Sequence, residues 1–148
     1  MKRLGILLTA VVLCASLCGC GLSEKQQVVG PEWQMDSVQN QDGNIEAVGS
    51  PDRAENYPEA ALADLTCRFT ETSLTLSNQD SGESWAGTYK LVKRGGSESA
   101  IYEITFDGGE TAHAVRSVTT YLDRDPVDTL VLSTDAYSIT FYAESAGA

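Results

Sequence analysis

From Leu65 onward, apolar and polar residues alternate in short segments that turn residues separate. Such alternation is typical of half-buried β-strands. A looser alternation over residues 32–38 predicts one more strand at the start. The later segments are 65–70, 73–77, 84–92, 101–106, 111–122, 129–133 and 137–142. Together they predict an all-β domain of about eight antiparallel strands, each linked to the next by a short loop.

Turn residues support this division of the chain. Asp42-Gly43 follows the first strand and suits a position with positive φ. Glu71-Thr72 joins two alternating segments as a tight hairpin. Residues 45–64 have a less regular pattern, in which Pro58 precedes good helix formers as far as Asp64. Because proline is tolerated in a first helical turn, this stretch predicts one short helix that caps an end of the β domain.

The first twenty residues have a different pattern. A basic head at residues 2–3 precedes an uncharged apolar run over residues 4–17. This arrangement is typical of a secretory signal peptide. The run is shorter than the roughly 20 apolar residues that a bilayer span needs.

Leu17-Cys18-Gly19-Cys20 resembles the lipobox of bacterial lipoproteins. The resemblance implies cleavage after Gly19 and a diacylglycerol on the sulfur of Cys20. Two or more fatty acyl chains hold a protein stably on a bilayer. The chain is therefore predicted to be extracytoplasmic, anchored to a bacterial membrane through Cys20.

The predicted cleavage site and the strand pattern divide the chain into four parts. Residues 1–19 are the predicted signal peptide, 20–31 the lipidated N-terminus and a flexible spacer, 32–143 the β domain, and 144–148 a C-terminal tail. Cleavage would leave 129 residues, enough for one domain with a core. Since the removed segment holds two cations and no acid, the formal net charge would change from −11 to −13. Such a charge disfavours nucleic acid as a partner.

The predicted cleavage also determines which cysteines remain in the mature chain with a free thiol. Cys14 and Cys18 would leave with the signal peptide, and Cys20 would be acylated. Only Cys67 would remain, so no intramolecular disulfide is expected. In a strand, Cys67 faces the same side as the apolar residues around it, which favours a buried hydrophobic role.

Residues 32–143 resemble the small lipocalin-like domains of bacterial lipoproteins. Trp33, the Gly-Thr-Tyr-Lys-Leu segment at 87–91 and the Ile-Thr-Phe-Tyr segment at 139–142 carry the resemblance. It implies an up-and-down β-barrel and assigns no ligand site. A barrel of about eight strands is either filled by side chains or holds one small ligand.

Catalytic and metal-binding patterns are weak in this chain. His113, the only histidine, lies between two alanines in a predicted strand. Asp123, Asp125 and Asp128 do not have the spacing of a calcium loop, and turns favour aspartate. We therefore predict no enzyme activity, no metal site and no cofactor.

Aromatic residues offer the best candidate for a binding site. Trp85, Tyr89 and Tyr102 are predicted to line a pocket, because Gly87 between the first two leaves room. The predicted function is binding of a small apolar ligand or of another envelope protein. One alternative is an acidic inhibitor of a cationic hydrolase such as a lysozyme, based on charge. The other is a structural envelope lipoprotein without ligand-binding activity.

Overall fold

Ten β-strands and one turn of helix make up the part of the chain that the structure describes. The computed structural model describes residues 28–95 and 99–143. None of these residues forms a helix with the length and apolar character that crossing a bilayer requires. The elements are β1 (Glu32–Asn40), β2 (Ile45–Val48), α1 (Pro51–Ala54), β3 (Ala61–Leu62), β4 (Leu65–Phe69), β5 (Ser73–Asn78), β6 (Ser84–Arg94), β7 (Ala100–Phe106), β8 (Thr111–Thr119), β9 (Val127–Ser133) and β10 (Tyr137–Ala143).

Eight of the strands form a closed antiparallel barrel. From β4 to β10, each strand pairs with the next along the chain. β1 closes the barrel by pairing with both β4 and β10. The predicted all-β, eight-stranded up-and-down barrel is therefore confirmed.

β1 has three partner strands. It pairs with β10 along one edge, and along the other edge its first half pairs with β4 and its second half with β2. Residues 32–34 pair with β4, and residues 37–39 pair with β2. Strand β2 in turn pairs in parallel with the two-residue β3. A bulge after Met35 accompanies this change of partner. Gly49 lies against the bulge so closely that a Cβ there would be 1.8 Å from the carbonyl oxygen of Met35.

The single helix lies at a different place from the one predicted. Strand β3 occupies part of 58–64, whereas α1 begins at Pro51. Ser50 has extended backbone angles, and its side chain accepts a hydrogen bond from the backbone N–H of Arg53 at 3.3 Å. A serine N-cap followed by proline is a common helix start. The helix prediction at 58–64 was wrong. It relied on a proline followed by good helix formers, whereas the helix begins at the shorter cap signal of Ser50 and Pro51.

The predicted turns are present. Gly43 has a φ of +86°, as the Asp-Gly pair predicted. At the hairpin between β4 and β5, the backbone N–H of Thr70 donates to the carbonyl oxygen of Ser73 at 2.8 Å, so Glu71-Thr72 forms its tip. These tight connections keep consecutive strands adjacent in the barrel.

Side chains fill the barrel interior. Alternate residues of each strand face inward and pack together, as the period of two predicts. Cys67 is fully buried among them, and burial raises the pKa of its thiol to about 12. The largest fully buried side chains are Trp33, Tyr102, Phe141, Leu74, Ile104, Leu130 and Leu132.

The end of the barrel at which β1 begins, here called the base, is closed. Val28 is fully buried there, and its carbonyl oxygen accepts a 3.1 Å hydrogen bond from the indole Nε1 of Trp33. Val29 forms a β-bridge with Phe69. Residues 28–31, predicted as part of the spacer, therefore include side chains of the core. The predicted signal peptide, Cys20 and the tail 144–148 lie outside the described residues.

An ion pair contributes to the same closed end. Arg116 continues the inward-facing row of Ala112 and Ala114 on β8. Its guanidinium lies 2.5 Å from a carboxylate oxygen of Asp128 on β9, and only 11% of the Arg116 side chain is exposed. A charged group so nearly buried needs a partner of opposite charge. Asp128 supplies that partner.

Candidate functional site

The opposite end of the barrel, here called the mouth, opens to solvent as a shallow pocket of about 310 Å³. Strands β4, β6, β8 and β10 begin at this end. The pocket is mainly apolar, with three polar side chains in its lining. Its lining residues are Leu65, Leu76, Asn78, Trp85, Phe106, Glu110, Leu132, Thr134 and Ile139.

Strand ends account for the position of these residues. Leu65 is the first residue of β4, and Phe106 is the last residue of β7. Trp85 is the second residue of β6 and is 41% exposed. The same alternation that fills the interior therefore places apolar side chains around the mouth, where Leu65, Phe106 and Ile139 are only partly buried. Large apolar groups left exposed around a concavity are typical of binding sites.

Two of the polar lining residues are committed to local turns. The Asn78 side-chain oxygen accepts hydrogen bonds from the backbone N–H groups of Asp80 and Ser81, at 3.0 and 3.1 Å. The Thr134 hydroxyl accepts from the backbone N–H groups of residues 136 and 137, at 3.2 and 3.1 Å. Their oxygens shape the loops, and an incoming ligand would have to compete with those bonds.

Glu110 differs from these two residues. Its carboxylate makes no hydrogen bond or ion pair with another residue in 28–95 or 99–143. Its backbone carbonyl accepts from the N–H of Phe106 at 2.8 Å, which fixes the turn before β8. Glu110 therefore places a negative charge in the pocket lining without committing that charge to a neighbour.

The three aromatic residues predicted to line a pocket lie at different depths. Trp85 lines the mouth pocket. Tyr89 and Tyr102 are buried in the filled interior, where their rings meet edge to face with centroids 5.7 Å apart. The Tyr89 hydroxyl donates to the backbone oxygen of Thr70 at 2.7 Å. Burial, with a smaller effect of the Glu71 charge, raises the pKa of Tyr89.

Gly87 has a different consequence from the one predicted. A Cβ at this position would lie 2.6 Å from the backbone oxygen of Thr105 on the neighbouring strand. The missing side chain therefore lets β6 and β7 approach each other closely. Leu65, Phe106 and Glu110 were not predicted to line the pocket, although Phe106 and Glu110 flank the recognisable turn at 107–109.

A larger groove of about 830 Å³ runs along the outer wall, between α1 and the loop that precedes β9. Arg53 and Arg124 are its cations. Arg53 lies 2.7 Å from a carboxylate oxygen of Asp36, and Arg124 stacks over the ring of Tyr121 at 3.7 Å from its centroid. Because contacts within the chain already engage both charges, we regard the mouth pocket as the better candidate.

The residues considered for catalysis or metal binding lie apart from the mouth pocket. His113 faces solvent on the outer wall of β8, opposite Glu103 on the neighbouring strand β7. The Nζ of Lys90 lies 2.8 Å from a carboxylate oxygen of Glu103 and is the main cause of the lowered pKa of Glu103. Asp128 pairs with Arg116. Within 28–95 and 99–143, histidine, cysteine and carboxylate side chains form no cluster of three or more that could hold a metal ion.

Comparison with known proteins adds no relative. No family model matches the chain, and no curated protein or solved structure matches it. A function for this chain therefore has to be inferred from the geometry of the barrel and its mouth.

Proposed function

We propose that this chain is a bacterial lipoprotein whose barrel binds a small apolar molecule in its mouth, outside the cell. The mouth pocket carries the proposal. Its volume of about 310 Å³ is at the lower end of the roughly 300–1,000 Å³ typical of small-molecule sites. An apolar lining with a few polar groups is the usual composition of such sites.

The filled interior limits what the ligand can be. Tyr89, Tyr102 and Phe141 occupy the space that a hollow barrel would offer to a long ligand. A ligand can therefore insert only a compact apolar group, against Trp85 and the aliphatic side chains of the mouth. The barrel acts in this proposal as a rigid support that holds the lining residues in place.

The position of Cys20 in the chain determines which end of the barrel a lipid anchor would hold at the membrane. Val28 packs at the base, and Cys20 precedes it by eight residues. Fatty acyl chains on Cys20 would therefore hold the base towards the bilayer and leave the mouth facing away. A pocket in that position is accessible to molecules that diffuse in the surrounding compartment.

A neutral apolar fluorescent probe, N-phenyl-1-naphthylamine, tests the binding proposal on the full chain. We expect its emission to rise on binding, and we expect Trp85→Ser to weaken binding about tenfold, because each 1.4 kcal/mol of lost contact is a factor of ten. Val92→Ser is the matched control, since Val92 is 55% exposed on the same strand and lies outside the pocket lining. An unchanged emission, or an equal effect of the two substitutions, would contradict the proposal.

The membrane part of the proposal has its own test. Mass spectrometry of the native product should find a chain that begins at Cys20 and carries fatty acyl groups. An uncut leader or an unmodified Cys20 thiol would refute the anchor and leave the pocket proposal standing.

A further inference from the structure

The charges of the barrel are distributed unequally between its two ends. In the described part of the chain, the loops at the mouth contain seven acidic residues and neither lysine nor arginine. Every lysine and arginine described lies on the wall or towards the base. The acidic residues at the mouth are Asp42, Asp64, Asp80, Glu83, Asp107, Glu110 and Asp135.

Ion pairs follow the same division. The pairs that the described residues make among themselves join Asp36 to Arg53, Glu32 to Arg68, Glu103 to Lys90 and Asp128 to Arg116. All of them lie on the wall or near the base. The carboxylates at the mouth have no such partner within 28–95 and 99–143, so their negative potential adds up around the pocket. Several like charges around a cleft raise the local concentration of oppositely charged ligands.

Two groups in the pocket lining also favour a cationic ligand. The exposed indole of Trp85 presents an aromatic ring, and aromatic faces attract ammonium groups. Glu110 contributes a carboxylate to the same lining. The apolar side chains of the same lining, including the buried Leu76 and Leu132, would contact the uncharged part of a ligand.

We infer that the ligand of the mouth is an organic ammonium cation with a compact apolar body. This inference rests on the proposed function and specifies its ligand class. The apolar body would fill the pocket of about 310 Å³, and the ammonium group would lie between Trp85 and Glu110. An anion of the same shape would be repelled by the acidic loops, and a neutral molecule would gain only the apolar contacts.

Three compounds of nearly equal shape test whether the mouth prefers a cation, a neutral molecule or an anion. Benzyltrimethylammonium is the cation, neopentylbenzene is its neutral carbon isostere, and phenylmethanesulfonate is the anion. Each competes for the full chain with N-phenyl-1-naphthylamine. We expect the cation to displace the probe at a concentration about tenfold lower than the neutral compound, since a partly desolvated cation–aromatic contact contributes about 1–2 kcal/mol. The anion should be the weakest competitor.

Two variants assign the effect to the mouth. Glu110→Gln should reduce the advantage of the cation severalfold and leave competition by the neutral compound unchanged. Glu71→Gln removes an equal charge at the base and should change neither value. Added salt should also reduce the cation's advantage, because exposed charges are screened.

The outcomes distinguish this inference from the proposed function. Equal competition by the three compounds, stronger competition by the anion, or an unchanged cation advantage in Glu110→Gln would overturn the ammonium inference, while probe binding would still support an apolar pocket. If N-phenyl-1-naphthylamine itself does not bind, both proposals fall.

Discussion

Replacing Tyr89 by leucine tests whether the barrel interior is a packed core or part of a ligand site. The phenol ring lies between Phe69 and Tyr102, with ring centroids 5.1 and 5.7 Å away and both contacts edge to face. Its hydroxyl donates to the backbone oxygen of Thr70. Leucine keeps an apolar side chain at this position and removes all three interactions.

The expected loss can be worked out from these contacts. An intramolecular hydrogen bond contributes about 1 kcal/mol to stability. Each aromatic pair contributes about 0.5–1.5 kcal/mol beyond the burial of its area. The free energy of unfolding should therefore fall by about 2–4 kcal/mol in Tyr89→Leu. Tyr89→Phe is the matched control, because it removes only the hydroxyl and should cost about 1 kcal/mol.

Urea unfolding of the full chain, followed by circular dichroism, measures both values. The affinity for N-phenyl-1-naphthylamine should stay the same in both variants, since Tyr89 is absent from the mouth lining. A Tyr89→Leu variant with unchanged stability and lost probe binding would refute this reasoning. It would show that Tyr89 lines an accessible site, as predicted from the sequence.

Three further predictions concern the wall, the base and the core. Gly49→Ala should destabilise the fold by about 3 kcal/mol in urea unfolding, because its Cβ would meet the carbonyl of the bulge, whereas Gly108→Ala should be nearly neutral because its Cβ would meet nothing within 4 Å. Asp128→Ala should cost about 1–3 kcal/mol by leaving the Arg116 guanidinium without this carboxylate; no change would contradict a role of the pair in closing the base. Burial raises the pKa of Cys67 from its ordinary value of 9.0 to about 12, so the unfolded chain ionises first and stability should fall by up to about 4 kcal/mol as pH rises from 9 to 12. Cys67→Ala should remove that part of the pH dependence, and an unchanged slope would show that the thiol is not its cause.

The barrel could be predicted because strands have a local signature. Alternation with a period of two and turn pairs such as Asp42-Gly43 depend on residues close together in sequence. The helix was misplaced because α1 has only four residues, too few to show a helical period. Its signal, Ser50 followed by Pro51, occupies only two positions.

The candidate site was harder to predict than the fold. Alternation tells which residues share a face of a strand, and Tyr89 and Tyr102 both lie on the inward, buried face of their strands. Depth along the barrel axis depends on the stagger between strands, which alternation does not contain. Trp85 and Tyr89 share a face of β6, yet Trp85 lies at the rim and Tyr89 in the filled core.

The charge distribution arises from the topology rather than from any one segment. In an up-and-down barrel every second connection lies at the same end, so loops far apart in sequence become neighbours. The connections at 79–83, 107–110 and 134–136 meet at the mouth, and every charged residue in them is acidic. The loop at 120–126 lies at the base and contains Arg124 between two aspartates. Overall composition shows only a net negative charge. Once the strands are assigned, the same residues predict a mouth that attracts cations and a base whose charges are largely balanced.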